Sequence, residues 1–433
     1  MLLYILLTSI FLLIILELKL RKNFATPSVL LLLSFLMASL LIFINYKNWD
    51  ISLSFHFVVY VLTAIISFIL STHLVHSFLK NSSKIPSLSL QKLQVLSRPR
   101  ASLMLIMTVA FSIYSILYIR RVGFSLDLTT ILSTAYSSNV LNSGYSGSFL
   151  ETQMLKIITG IAYINYYQFL LSKFVVKMNF SQFINFYNIV LFLITATLST
   201  DRNILLRFFI YALVLWILFF FDINKESMRN INFKIIRSLV IYGIVILISL
   251  FLAGRIKGYV SDFQRSIGLY GGSGLNNFNL FLNNFNGQEL QWGRVTFNSL
   301  RVLVQTFLGI EEYSGLAMFD IPIVFKSSTG FVYISNVYSA LRPFVLDFGY
   351  IGMLLFPAMV GIFFEILFST AINRKFDFSW IFYSATVYSL IYFSIQEQFF
   401  ARMHLGSLYE IFWLSIFYLY IKSPIKIKLR SNV

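Results

Sequence analysis

Eleven apolar stretches follow one another along this chain, at 2–18, 27–45, 54–75, 101–119, 155–172, 183–199, 204–221, 237–253, 344–368, 380–396 and 408–421. Each is close to the ~20 residues that carry a helix across the ~30 Å hydrocarbon core of a bilayer. Lipid offers no partner to an exposed N–H or C=O, so such a stretch must satisfy its backbone internally, as a helix. The expected fold is an all-α polytopic membrane protein with about 11 transmembrane helices. With 58% hydrophobic and 12% charged residues, the chain has too little polar surface to enclose a soluble domain. The first stretch has the length of a signal peptide but lacks a basic leading region and a small-residue cleavage site, so it reads as retained. Residues 1–433 therefore read as one integral membrane domain, interrupted between the eighth and ninth stretches by a polar segment, 254–343.

The net charge of +17 is better explained by topology than by nucleic acid, because the basic residues cluster between apolar stretches rather than on a basic stripe of a soluble domain. Short cytoplasmic connections retain Lys and Arg during insertion. One alternate set of connections, around residues 19–22, 80–100, 173–177, 225–237, 374–375 and 422–430, holds 20 of the 34 basic residues. The opposite set holds 14, seven of them in the long 254–343 segment, to which the rule does not apply. The N-terminus is therefore expected outside, the C-terminus in the cytoplasm, and 254–343 outside. The absence of cysteine excludes disulfides, thiolate chemistry and Cys-ligated metals. His56, His73, His76 and His404 are scattered without metal-ligand spacing, and no cofactor is expected.

On the expected outer face arginine prevails over lysine. Arg202, Arg207, Arg255, Arg265, Arg294, Arg301, Arg342 and Arg402 form a candidate set for an anionic substrate, because a guanidinium grips phosphate or carboxylate with two parallel hydrogen bonds. Any one of them can equally snorkel to headgroups or pair with an acidic neighbour. Arg207 falls inside the seventh stretch, where a charge is expensive and usually faces a polar cavity. Asp201 and Arg202 precede it at a junction with almost no linker, where Asp201 can simply cap the helix. Tyr270 and Tyr338, with Tyr259, Trp292, Tyr313 and Tyr333, offer aromatic faces for sugar stacking. Asn276, Asn277, Asn279, Asn283, Asn284 and Asn286 add amides, in a run that reads equally well as a turn region. Asp347, Glu397 and His404 are the candidate general bases, with Glu289 ranked behind them. Of these a histidine titrates nearest neutrality when unperturbed.

The number of stretches, the long segment before the ninth, the Asp201-Arg202 junction, Tyr270-Gly-Gly-Ser-Gly-Leu, Asn336-Val-Tyr and Asp347-Phe-Gly-x-x-Gly together resemble a bacterial oligosaccharide repeat-unit polymerase, the Wzy-type O-antigen or capsule polymerase. The resemblance covers most of residues 100–420. It implies a GT-C-like glycosyltransferase of the bacterial plasma (inner) membrane, acting at the outer face on polyprenyl-pyrophosphate-linked oligosaccharides; with no DxD-like pair on that face, catalysis is expected to be metal-independent. A chain-length regulator and a flippase of the same pathway would be its partners, beside membrane lipids. The Arg-x10-Gly pattern described for some members is not kept: Ser266 stands eleven residues after Arg255, and Asn276 eleven after Arg265. The rival expectations are a flippase or other transporter of lipid-linked glycans, an O-antigen ligase, and a non-catalytic scaffold. A transporter should show internal repeats and midmembrane charges, whereas here charges gather at one face and no repeat is evident.

Overall fold

The computed structural model describes residues 1–82, 97–122, 149–176, 180–198, 202–224, 237, 268–285, 290–309, 323–327, 330–335 and 337–422. Single helices occupy nine of the expected apolar stretches: α1 (Leu2–Arg21), α2 (Pro27–Ile44), α3 (Phe55–Ser82), α4 (Arg98–Val122), α5 (Phe149–Leu171), α6 (Phe180–Leu198) and α7 (Arg202–Asn224), then α10 (Leu341–Asn373) and α13 (Leu405–Lys422). Between them lie α8 (Ser273–Asn284), α9 (Asn298–Leu308), α11 (Phe378–Thr386) and α12 (Tyr388–Ile391). The stretch 238–253 lies outside the described residues. Five described helices, α1, α2, α3, α7 and α10, are long and apolar enough to cross a membrane, fewer than the eleven stretches expected.

Two features depart from the sequence expectation. Ile323–Ser327 (β1) and Gly330–Ser335 (β2) pair as a short antiparallel hairpin within an otherwise helical fold. Their β-branched and aromatic residues lie in the polar segment, where no apolar run of span length competes for them. The tenth stretch is not one helix but two short ones, α11 and α12, which give way to turns at 392–395. Thr386 Oγ donates to the carbonyls of Phe382 and Tyr383, and Ser389 Oγ donates to that of Thr386. Such side-chain bonds to the backbone compete with the helical ladder. In a membrane protein a broken helix is tolerated where it is buried or lines a cavity.

Glycine sets the closest helix contact. α3 and α10 pack along one another, and a Cβ on Gly361 would stand 2.9 Å from the carbonyl oxygen of Phe68 and also run into Ser71. A small residue there lets the backbones approach, the usual basis of helix association in lipid. α5 and α7 are fixed by Tyr163 stacked on Tyr211 at 4.2 Å, with Tyr211 Oη donating to the Tyr163 carbonyl at 2.7 Å.

Within 254–343, the α8 part packs into the bundle. The Asn-rich run forms α8, and Asn276, Asn277 and Asn279 are buried. Asn279 accepts from Ser54 N and donates to the Ser52 carbonyl, while Asn277 donates to the Val337 carbonyl. Asn277 and Asn279 thus close backbone hydrogen bonds of neighbouring turns, and all three residues stand in a helix rather than a turn.

A polar cluster joins α1, α3 and α10. Fully buried Glu17 meets His73 Nε2 at 2.6 Å and accepts from Ser28 Oγ. Fully buried Glu365 pairs with Arg21 and with His76 Nδ1 at 3.1 Å. These contacts tie α1, most of whose apolar surface faces outward, to the rest of the bundle.

Candidate functional site

A cavity of about 260 Å³ opens where α5, α7, the broken α11–α12 pair, the turn before α13, and α13 itself converge. Its walls are largely apolar, with Phe363, Phe364, Phe382, Phe399, Ile411 and Leu414. Its charged lining residues are Lys156 from α5, Arg207 from α7, Arg402 from the turn and Glu410 from α13: three cations against one carboxylate. Arg207 Nη2 lies 3.1 Å from both carboxylate oxygens of Glu410. Arg402 Nη1 reaches the same carboxylate at 3.7 Å. Tyr388 presents its ring to both guanidiniums, 5.3 Å from that of Arg207 and 5.9 Å from that of Arg402. Glu410 thus neutralises part of the charge and leaves the lining net positive. Nε and Nη1 of Arg207 are buried and make no hydrogen bond to the protein. Orphaned donors of this kind are costly unless something binds them.

The turn that carries Arg402 is built by Glu397. Its Oε1 accepts from Phe399 N at 2.6 Å and Phe400 N at 2.8 Å, and its Oε2 from Ala401 N at 2.7 Å. Three backbone donors favour the charged carboxylate, yet burial outweighs them and pushes its pKa up to about 7. Its oxygens are engaged in shaping the turn, so the geometry makes Glu397 a positioning residue for Arg402 rather than a free base. A folded-state pKa raised above the unfolded value means that the folded form holds the proton longer. The contribution of Glu397 to stability is therefore full below about pH 4.5 and is lost as pH rises toward 7, by about 3 kcal/mol at most. Thermal unfolding between pH 4.5 and 7.5 should show the wild type losing more stability than Glu397→Gln; parallel slopes would refute this titration.

Asp347 is likewise engaged. It is fully buried, its Oδ1 accepts from Val295 N at 3.2 Å and its Oδ2 from Thr296 N at 2.6 Å, while its carbonyl accepts from Trp292 N at 3.2 Å. Gly349, two residues on, breaks the helix at φ +57°, a left-handed conformation that favours glycine. The carboxylate latches segment 290–297 onto the start of α10 and does not line the cavity. His404 differs from both acids. Burial and the neighbouring Arg402 lower its pKa, so the ring is neutral near pH 7, with Nε2 3.3 Å from the cavity-lining Ser407 Oγ.

Neither a family model, a curated protein nor a solved structure matches this chain.

Of the sequence candidates, the fold gathers Arg207, Arg402, Glu397 and His404 at or beside the cavity. Arg342 stacks on Tyr338 at 4.1 Å and lines a separate, smaller cavity of about 30 Å³ that Glu397 shares. Arg294 is exposed and Arg301 Nη2 donates to Asn298 Oδ1 within α9; neither lines the larger cavity. Arg255 and Arg265 lie outside the described residues, as do the side chains of Arg202 and Tyr270. Sequence reasoning did not single out Lys156, Glu410 or Tyr388. The signal for the first two was present, since each is a charge within an apolar stretch, as Arg207 is.

Proposed function

We propose that this protein is a glycosyltransferase that polymerises polyprenyl-pyrophosphate-linked oligosaccharide repeat units, in eleven crossings of the bacterial plasma membrane with the cavity toward its outer face. The observation that carries this reading is the pairing of apolar walls with three cations against one acid, including an arginine with two orphaned donors. That combination suits a lipid phosphate: the isoprenoid lies along the phenylalanines and the pyrophosphate meets Arg207, Arg402 and Lys156. In the reaction an acceptor hydroxyl attacks the donor's anomeric carbon, the bond to the pyrophosphate oxygen breaks, and the hydroxyl proton passes to neutral His404. Charge grows on the leaving pyrophosphate, and preorganised guanidiniums stabilise it more in the transition state than in the ground state.

Purified protein supplied with a synthetic lipid-linked repeat unit is expected to yield a ladder of longer products and released polyprenyl pyrophosphate. Intact substrate throughout would sink the reading. Movement of substrate across a vesicle membrane without bond cleavage would identify a transporter instead, for which a broken helix beside a cavity is also suited.

A further inference from the structure

α9 differs in kind from the helices around it. Its 11 residues make a rod about 17 Å long, roughly half a hydrocarbon core, so it does not cross. Leu300, Val304, Phe307 and Leu308 fall at i, i+4, i+7 and i+8 and form one apolar stripe. The stripe is exposed, Phe307 at 72% and Leu308 at 66%. The helix packs on the Phe400–Arg402 turn, and Gly309, left-handed at φ +65°, ends it.

Its depth can be read from its start. Phe297, the residue before α9, packs its ring 5.7 Å from Phe356 of α10 and 5.3 Å from Phe400. Phe356 lies only seven residues beyond the Gly349 break, early in the unbroken apolar part of α10, and that part exposes Tyr350, Ile351, Leu354 and Leu355. Trp292, exposed at 74%, rests edge-on against Phe348 of that helix at 6.1 Å. Exposed tryptophan at a span end is the usual residue of the membrane–water boundary.

We infer that α9 lies in the plane of the membrane surface at the N-terminal end of α10, with its Leu300–Val304–Phe307–Leu308 face embedded in lipid. The occupant of this face is bilayer rather than protein because α9 begins beside the part of α10 whose exposed residues already suit acyl chains. An in-plane helix with one apolar face inserts to the depth of the headgroup–acyl boundary. Packed on the turn that holds Arg402, it brings lipid next to the cavity. The inference stands whether or not the protein is a polymerase.

The native chain has no cysteine, so single-cysteine variants of the full-length protein need no background removal. Phe307→Cys, Leu308→Cys and, on the opposite side of the helix, Thr306→Cys would carry a nitroxide label. Each would be placed in nanodiscs of phosphatidylethanolamine and phosphatidylglycerol. The ratio of collision rates with oxygen, which concentrates in lipid, to those with a water-soluble nickel chelate is expected to be several-fold higher at 307 and 308 than at 306. A ratio at 307 and 308 no higher than at 306 puts the face in water and overturns the inference. Protection of 307 and 308 from both reagents means protein covers them, whether this chain or a second copy, and overturns it equally. A variant that fails to elute like the parent would be replaced by Val304→Cys, on the same face.

Discussion

On the proposed function, Arg207→Lys is expected to lower glycosyl-transfer turnover by ~10²–10³-fold, the usual cost of removing one preorganised donor from a developing anion. Lysine keeps the charge but loses the planar fork, whose Nη2 holds Glu410 while Nε and Nη1 stay free of protein partners. Initial rates of product release on the synthetic lipid-linked substrate, with the thermal midpoint measured alongside, make the test. Turnover within threefold of wild type would refute the role. Arg207→Leu separates folding from catalysis. It strips Glu410 of its nearest partner and leaves it Arg402 at 3.7 Å, so a lower thermal midpoint is expected. Glu410→Gln in the same chain should restore part of that stability and none of the activity.

The second large effect concerns folding. Asp347→Ala leaves the N–H groups of Val295 and Thr296 without an acceptor in a buried site. Each orphaned donor costs about 1–3 kcal/mol, so a loss of roughly 2–6 kcal/mol is expected, read as a lower thermal midpoint. Segment 290–297 should then come away from α10, with faster backbone hydrogen exchange at Val295 and Thr296. Activity should fall with the same proportion at every pH. A general base would behave otherwise: the alanine variant would keep its thermal midpoint and lose the acidic limb of its pH–rate profile. That outcome would return Asp347 to the chemistry.

Helix placement was legible because it depends on local composition. Runs of Leu, Ile and Phe mark α1 to α7, α10 and α13 to within seven residues at either end, since a bilayer-length apolar segment has few structural choices. The break in the tenth stretch was not legible by hydropathy, because Thr386 and Ser389 act on the backbone through hydrogen bonds that an apolar average hides. The surroundings of the acids were hidden for a related reason. Asp347 and Glu397 look like free carboxylates in a sequence, and only the turns folded around them reveal that backbone N–H groups occupy their oxygens.

Charge placement shows the same division. Glu17, Lys156, Arg207, Glu365 and Glu410 all stand inside apolar stretches, and the sequence alone marks each as an expensive group in need of a partner. It does not say which partner. Glu17 and Glu365 join Arg21 and two histidines, whereas Lys156, Arg207 and Glu410 meet Arg402 at the cavity. Composition and spacing thus determined that this is a helical protein suited to a membrane, carrying costly buried charges. Tertiary structure decided which charges cancel and which stay available to a ligand, because residues from α5, α7 and α13 become neighbours only once those helices pack.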